Sequence, residues 1–152
     1  MPVTYLETGT QNPFYNLAFE EFVLTHRLEG EYLLLWQNDN TIVVGQNQNT
    51  EAEMNRAFVE ARHISVVRRT TGGGAVYHDL GNLNFTFLVN KGDYDLPRQL
   101  GVIVEACRAL GIPAECSGRN DVLADGRKFS GNAFYAHNGK QYHHGTLLVD
   151  VD

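Results

Sequence analysis

Cysteine is scarce: Cys107 and Cys116 are the two in 152 residues. Two thiols form no disulfide framework and carry no metal-ligand spacing, so they are expected to be reduced. No apolar run approaches membrane-spanning length. The N-terminal MPVTYLETGT has neither a basic segment nor an apolar signal core. These absences point to a cytoplasmic protein with no membrane association. Positive charge is also in deficit. Twelve Lys and Arg against 18 Asp and Glu give a net charge of −6, which speaks against general nucleic-acid binding. Repeats, low-complexity tracts and linkers are absent. With 43% apolar and 20% charged residues, the chain reads as one soluble globular domain.

Arginines cluster locally, at Arg68–Arg69 and at Arg119 and Arg127. A positive pocket on an acidic chain suits a small anionic ligand. The sharpest signal is RRTTGGGAVYHDLGNLNFTF, Arg68–Phe87. An apolar strand, Ile64–Val67, runs into two arginines and then Gly72, Gly73 and Gly74. Glycine lets main-chain N–H groups approach a ligand, and arginine's planar fork grips phosphate or carboxylate. The Walker spacing is missing, and no long helix follows the glycines as a dinucleotide site would require. The stretch reads as an anion cradle between two strands, with His78 and Asn82 just downstream. A plain glycine-rich hairpin is the simpler alternative for GGG alone.

Val3–Glu7 reads as a first strand. Asn12-Pro13 starts a helix whose inner face is expected to carry Phe14, Leu17, Ala18, Glu21, Leu24, Thr25 and Leu28. Tyr32–Gln37 is a buried strand, and Asn38-Asp39-Asn40 is turn chemistry that should return Thr41–Gly45 as its partner. Thr50-Glu51-Ala52-Glu53 reads as a capping box opening a helix to about Arg62. Strands follow at Ser65–Arg69, Ala75–His78 and Leu83–Val89. Pro97 opens another helix with Leu100, Ile103, Val104 and Cys107 inside. Ala114–Cys116, Asp121–Ala124, Arg127–Tyr135 and Gln141–Val149 are further strands, joined by Asp125-Gly126 and Asn138-Gly139 hairpin turns. The architecture predicted is α+β: a mixed, mainly antiparallel sheet packed with helices.

Two more stretches carry chemistry. In GRNDVLADGRKFSGNAF, Lys128 enters a strand beside the small residues Ser130 and Gly131. Lysine is seldom buried there without a partner, although it also snorkels from strand ends. In His143-His144-Gly145-Thr146 the two histidines of a regular strand face opposite sides, so they cannot both chelate one metal. No structural zinc is expected.

Together the three stretches resemble the lipoate–protein ligase family. Its RR-x-x-GGG-x-V-x-HD-x-GN-x-N reads RRTTGGGAVYHDLGNLN here, its G-R-N-D…G-R-K-x-S-G reads GRNDVLADGRKFSG, and its H-H-G-T-L-L reads HHGTLLVD. YLLLWQNDNTIVVGQNQNT also matches, so the similarity covers nearly all of residues 1–152. It implies the biotin/lipoate ligase (class II synthetase-like) catalytic core, C-terminally incomplete because relatives continue past HHGTLL. Strand Gln141–Val149 should then present an apolar edge. RRTTGGG favours lipoate over biotin.

The implied activity uses ATP to convert lipoate into lipoyl-adenylate. The acyl group then passes to a lysine on an acceptor domain of a 2-oxoacid dehydrogenase or the glycine-cleavage H protein. Lys128 would hold acyl carbonyl and α-phosphate. Arg69, the backbone of Gly72, Gly73, Gly74, Ala75, Val76 and Tyr77, and Asn120 and Asp121 would hold the nucleotide. Strand alternation favours Arg69 over Arg68. Asp121 is the Mg²⁺ candidate. His78, Asn82, His144 and Gly145 would meet lipoate. Leu17, Val44, Val76 and Phe85 are expected to supply an apolar tunnel, and Gln46–Thr50 and Lys91–Leu96 are lid candidates. Gln46 stands where relatives often carry arginine. Two rivals remain: a lipoyl or octanoyl transferase using Cys116 as nucleophile, with Cys107 as core, or a lipoate- or adenylate-binding module without turnover.

Overall fold

The computed structural model describes residues 3–26, 29–118 and 121–151. Among these, the strands divide between a seven-stranded sheet and a three-stranded one. The strands are β1 (Val3–Glu7), β2 (Glu31–Trp36), β3 (Thr41–Val44), β4 (Ser65–Arg68), β5 (Val76–His78), β6 (Asn82–Asn90), β7 (Ala114–Ser117), β8 (Asp121–Ala124), β9 (Arg127–His137) and β10 (Lys140–Leu148). The helices are α1 (Pro13–His26), α2 (Thr50–Glu53), α3 (Arg56–Ala61) and α4 (Leu96–Ala109). The large sheet runs β1-β2-β6-β10-β9-β8-β7, antiparallel except for the β1–β2 pair. The small sheet runs β4-β3-β5.

Each face of the large sheet has its own core. On one, Phe85, Phe87 and Val122 pack against Leu100, Ile103, Val104 and Cys107 of α4. That helix buries the face its sequence spacing predicts. On the other, Leu34, Trp36, Leu88 and Tyr142 pack against Val23 and Leu24 of α1. The small sheet also lies on this side, because its loop residues Thr70 and Thr71 bond Tyr142 and His144 of β10.

Four expectations change. β3 does not pair with β2; it pairs parallel with β4 and antiparallel with β5. Asn40, at positive φ (44°), turns the chain out of the first sheet, and its amide is held by the Arg62 and His63 carbonyls. The inner face of α1 is rotated: Pro13, Asn16, Glu20, Val23 and Leu24 are buried, whereas Phe14 and Glu21 are exposed. Leu28 lies outside the described residues. The segment after Thr50 is two short helices, capped by Asn49 and Asn55 rather than by Thr50. Finally, β10 is no edge. It sits between β6 and β9, so its backbone is paired on both sides.

Candidate functional site

A cavity of about 660 Å³ opens between the α1-side face of the large sheet and the small sheet. Arg69 and the glycines Gly72–Gly74 form one wall, with Val76, Tyr77, His78 and Asp79 beyond them. Asp121, Lys128, Gly131, His144 and Gly145 form the opposite wall. Trp36, Leu17, Val43, Ala133 and Leu148 supply an apolar lining. Arg69 and Lys128 therefore face one hollow.

Alternation along the strand separates the arginines. Arg68 donates to the carbonyls of Gly45, Gln46 and Gln48 and to Thr50 Oγ, clamping the segment before α2. Arg69 turns to the cavity. Its Nη2 donates to the carbonyls of Gly72 (3.1 Å) and Gly74 (2.9 Å), curling the loop around the guanidinium. Its buried Nε has no hydrogen-bond partner among the described residues. Burial lowers the Arg69 pKa, opposed by Tyr142 and Glu20, but a guanidinium stays charged at neutral pH. Gly73 has φ +107°, and the loop presses so closely on β3 that a Cβ on Gly45 would meet Gly73 O at 1.9 Å.

Lys128 Nζ lies 2.8 Å from Asp121 Oδ1. Lys128 is 54% exposed, so the pair is screened by water and the amine can exchange partners cheaply. A Cβ at Gly131 would press on the Lys128 stem at 3.3 Å; a bare glycine leaves the lysine room over the strand.

His78 is buried, and its pKa falls to about 4, from burial first and then the Arg69 charge and His144. Its tautomer follows from a chain of amides. Asn16 Nδ2 donates to Asn38 Oδ1, so Asn38 Nδ2 donates to His78 Nδ1 (3.2 Å). The ring proton therefore sits on Nε2, which has no hydrogen-bond partner among the described residues. Asn84 Nδ2 is likewise buried and unpaired. Orphaned donors in a wall are costly unless a ligand oxygen or water meets them.

His143 and His144 point to opposite faces. His143 packs among Phe85, Phe87 and Phe134, away from the cavity. His144 Nδ1 lies 2.9 Å from Glu20 Oε1, and its Nε2 lies 2.8 Å from Thr71 Oγ.

Several expected residues sit elsewhere. Asn82 is fully buried behind the wall and donates to Asn84 Oδ1 (3.2 Å); Asn84, two positions on, reaches the cavity instead. Val43 rather than Val44 lines the tunnel, because adjacent strand residues face opposite sides. Phe85 lies in the α4-side core. Ala75 does not line the cavity. Asn120 lies outside the described residues, as does Arg119. The lid candidates do not line the cavity either: Gln46–Thr50 is clamped by Arg68, and Lys91–Leu96 borders a separate depression beside Glu31. Cys116, the rival nucleophile, is exposed on β7 and is absent from the cavity wall. Sequence reading missed Trp36, Glu20 and Thr71. Only the i, i+4 spacing of Asn16 and Glu20 on a helix with apolar residues all round could have hinted at a buried acid.

A glycine loop curled around Arg69, a half-exposed lysine and an apolar floor surround one cavity. Comparison with known proteins identifies the family. The family described as "Lipoyl protein ligase A/B catalytic domain" matches residues 12–152, and the chain belongs to it. The lipoate-protein ligase LplJ of Bacillus subtilis is 48% identical over 91% of this chain and 43% of its own length. Among solved structures, P. falciparum LipL1 in complex with lipoate has 34% identity and a TM-score of 0.94 over 99% of this chain and 49% of that one. A lipoate-protein ligase A bound with ATP has 29% identity and a TM-score of 0.86 over 99% of this chain and 67% of that one. A bipartite ligase from Thermoplasma acidophilum, solved in a study of it and its E2 lipoyl domain, has 30% identity and a TM-score of 0.86 over 99% and 62%. The chain thus spans about half the length of the curated relatives it matches.

Proposed function

We propose that residues 1–152 are part of a lipoate–protein ligase catalytic domain that activates lipoate with ATP and passes it to a lysine of a lipoyl-acceptor domain. The observation that carries this reading is the convergence of Arg69, the glycine loop and Lys128 on one cavity with an apolar floor. The relatives solved with lipoate and with ATP support both ligands for the same fold.

In the first step a lipoate carboxylate oxygen bonds to the α-phosphorus of ATP, and the α–β bridging bond breaks to release pyrophosphate. Two anions must approach, and charge grows on the phosphoryl oxygens. Preorganised cations and N–H donors lower such barriers most. Arg69 and the loop from Gly72 to Tyr77 hold the nucleotide. Lys128 leaves Asp121 to bridge the acyl carbonyl and α-phosphate; His78 Nε2–H and Asn84 Nδ2–H are buried and unpaired in the wall, and would meet oxygens of the ligand head only if the wall opened to them. Trp36, Leu17, Val43 and Val76 take the acyl chain, with His144 and Gly145 along its wall. In the second step the acceptor lysine attacks the acyl carbonyl, AMP leaves, and the amine loses a proton.

A Mg²⁺ entering with ATP would offset phosphate charge, and carboxylates of this chain would help to hold it. Asp121 and Asp79 both line the cavity, and one or two carboxylates with substrate phosphates are a usual Mg²⁺ donor set. The acceptor is a lipoyl domain of a 2-oxoacid dehydrogenase or the glycine-cleavage H protein, acting in the cytoplasm. Lipoate-dependent exchange of pyrophosphate into ATP by the full-length protein tests the reading: exchange is expected, and its absence rejects the ligase.

A further inference from the structure

Glu20 is 2% exposed at the centre of α1, an unusual place for a carboxylate. Its oxygens are fully engaged. Thr86 Oγ–H donates to Oε1 at 2.5 Å, and Trp36 Nε1–H donates in turn to Thr86 Oγ at 3.0 Å. His144 Nδ1 meets Oε1 at 2.9 Å and Oε2 at 3.2 Å. A carboxylate flanked this way can only accept, so Nδ1 carries a proton. The other ring nitrogen, Nε2, then faces Thr71 Oγ at 2.8 Å.

Thr71 belongs to the glycine loop and is itself fully buried. Its neighbour Thr70 bonds the hydroxyl of Tyr142, on the same face of β10 as His144. Its carbonyl accepts from Gln46 N at 2.9 Å. The segment between Arg69 and Gly72 is therefore pinned to the large sheet by side chains, and one of those pins depends on a helix residue 51 positions earlier in sequence. Free imidazole places its proton on either nitrogen. Without Glu20 the ring loses the contact that fixes its orientation as well as its tautomer; the Thr71 hydroxyl can bond Nε2 in either form, so the pin weakens because the ring is no longer held in place.

We propose that Glu20 is a positioning residue for the nucleotide cradle. It keeps a proton on His144 Nδ1, presents Nε2 to Thr71, and so fixes the loop that carries Arg69 and Gly72–Gly74. The link to the nucleotide rests on the ligase reading; the link from Glu20 to the loop does not.

The test compares the wild type with Glu20→Ala and Glu20→Gln, using histidine ¹⁵N spectra and amide hydrogen exchange of the ligand-free chain at neutral pH. In the wild type His144 Nδ1 is protonated and the loop's reporter amide, Gln46 N–H on the Thr71 carbonyl, is protected. Glu20→Gln keeps an oxygen at the Oε1 position and retains both signatures. Glu20→Ala moves the His144 proton to Nε2 and speeds loop exchange about tenfold or more, while the β8–β9 hairpin is unchanged. A Glu20→Ala spectrum with Nδ1 still protonated and loop exchange unaltered overturns the proposal. If Glu20→Ala does not fold, Thr71→Val removes the pin from its other end with little change in volume. Faster exchange confined to the loop supports the proposal, and unchanged exchange overturns it. ATP titration then separates the two readings: loop effects without ATP binding in the wild type reject the ligase assignment and leave Glu20's role standing.

Discussion

His143 and His144 are neighbours with opposite environments. His143 is enclosed by three phenyl rings and contacts two amide side chains, Gln99 at 2.8 Å and Asn132 at 2.9 Å. Burial and the nearby His144 push its pKa down to about 3, as burial and Arg69 push His78 to about 4. Both rings are neutral when folded and free to protonate near the ordinary histidine value when unfolded. Between those values the unfolded state binds more protons. Stability is therefore full above about pH 6.5 and falls as pH drops, by up to about 2.7 kcal/mol per pH unit for two such groups. Urea unfolding at pH 7, 6 and 5 should show the midpoint falling; a flat midpoint contradicts the neutral assignment. At the cavity, Lys128→Ala is expected to abolish retention of lipoyl-adenylate and leave the unfolding free energy within about 1 kcal/mol, because the Lys128–Asp121 pair is half exposed. Unchanged retention refutes the assigned role.

At the scale of elements, close approaches without side chains hold the site's shape. Gly145 of β10 lies where a Cβ would meet Asn132 Oδ1 at 2.3 Å and Phe85 at 2.5 Å. Gly145→Ala should cost about 1–3 kcal/mol by overpacking, read as a lower thermal midpoint; an unchanged midpoint contradicts that packing. Asn55 is the cap of α3, accepting from Phe58 N at 3.1 Å, and Asn55→Ala should cost about 1 kcal/mol. The hairpins at Asp125-Gly126 and Asn138-Gly139, and the inner face of α4, were legible because turn chemistry and helical spacing are local signals. The pairing of β3 was not. Its parallel partner β4 lies beyond two helices, and nothing local distinguishes it from the nearer β2. The face of α1 was misread because apolar residues occur all round it. Its burial follows Asn16 and Glu20, polar groups whose partners lie far along the chain, in the turn after β2 and on β6 and β10.

The whole molecule places its chemistry between two sheets. The large sheet contributes Lys128, His144 and Asp121; the small sheet and its loop contribute Arg69, Gly72–Gly74 and His78. The motifs named these side chains in advance, but their convergence depends on how the sheets meet, which motif order alone does not show. Val43 took the place expected of Val44, a shift that strand alternation accounts for once the pairing is known, whereas Asn84 lines the cavity in place of Asn82 on the same face, two positions along β6. Cys116 stands outside this arrangement, so Cys116→Ala should leave adenylate binding and pyrophosphate exchange unchanged. The most direct test of the convergence is a calorimetric titration of the 152-residue chain with lipoyl-adenylate, run beside Arg69→Ala and Lys128→Ala. Saturable one-to-one binding that either substitution weakens severely is the predicted result. Absence of binding, or binding indifferent to both, would contradict a shared adenylate site.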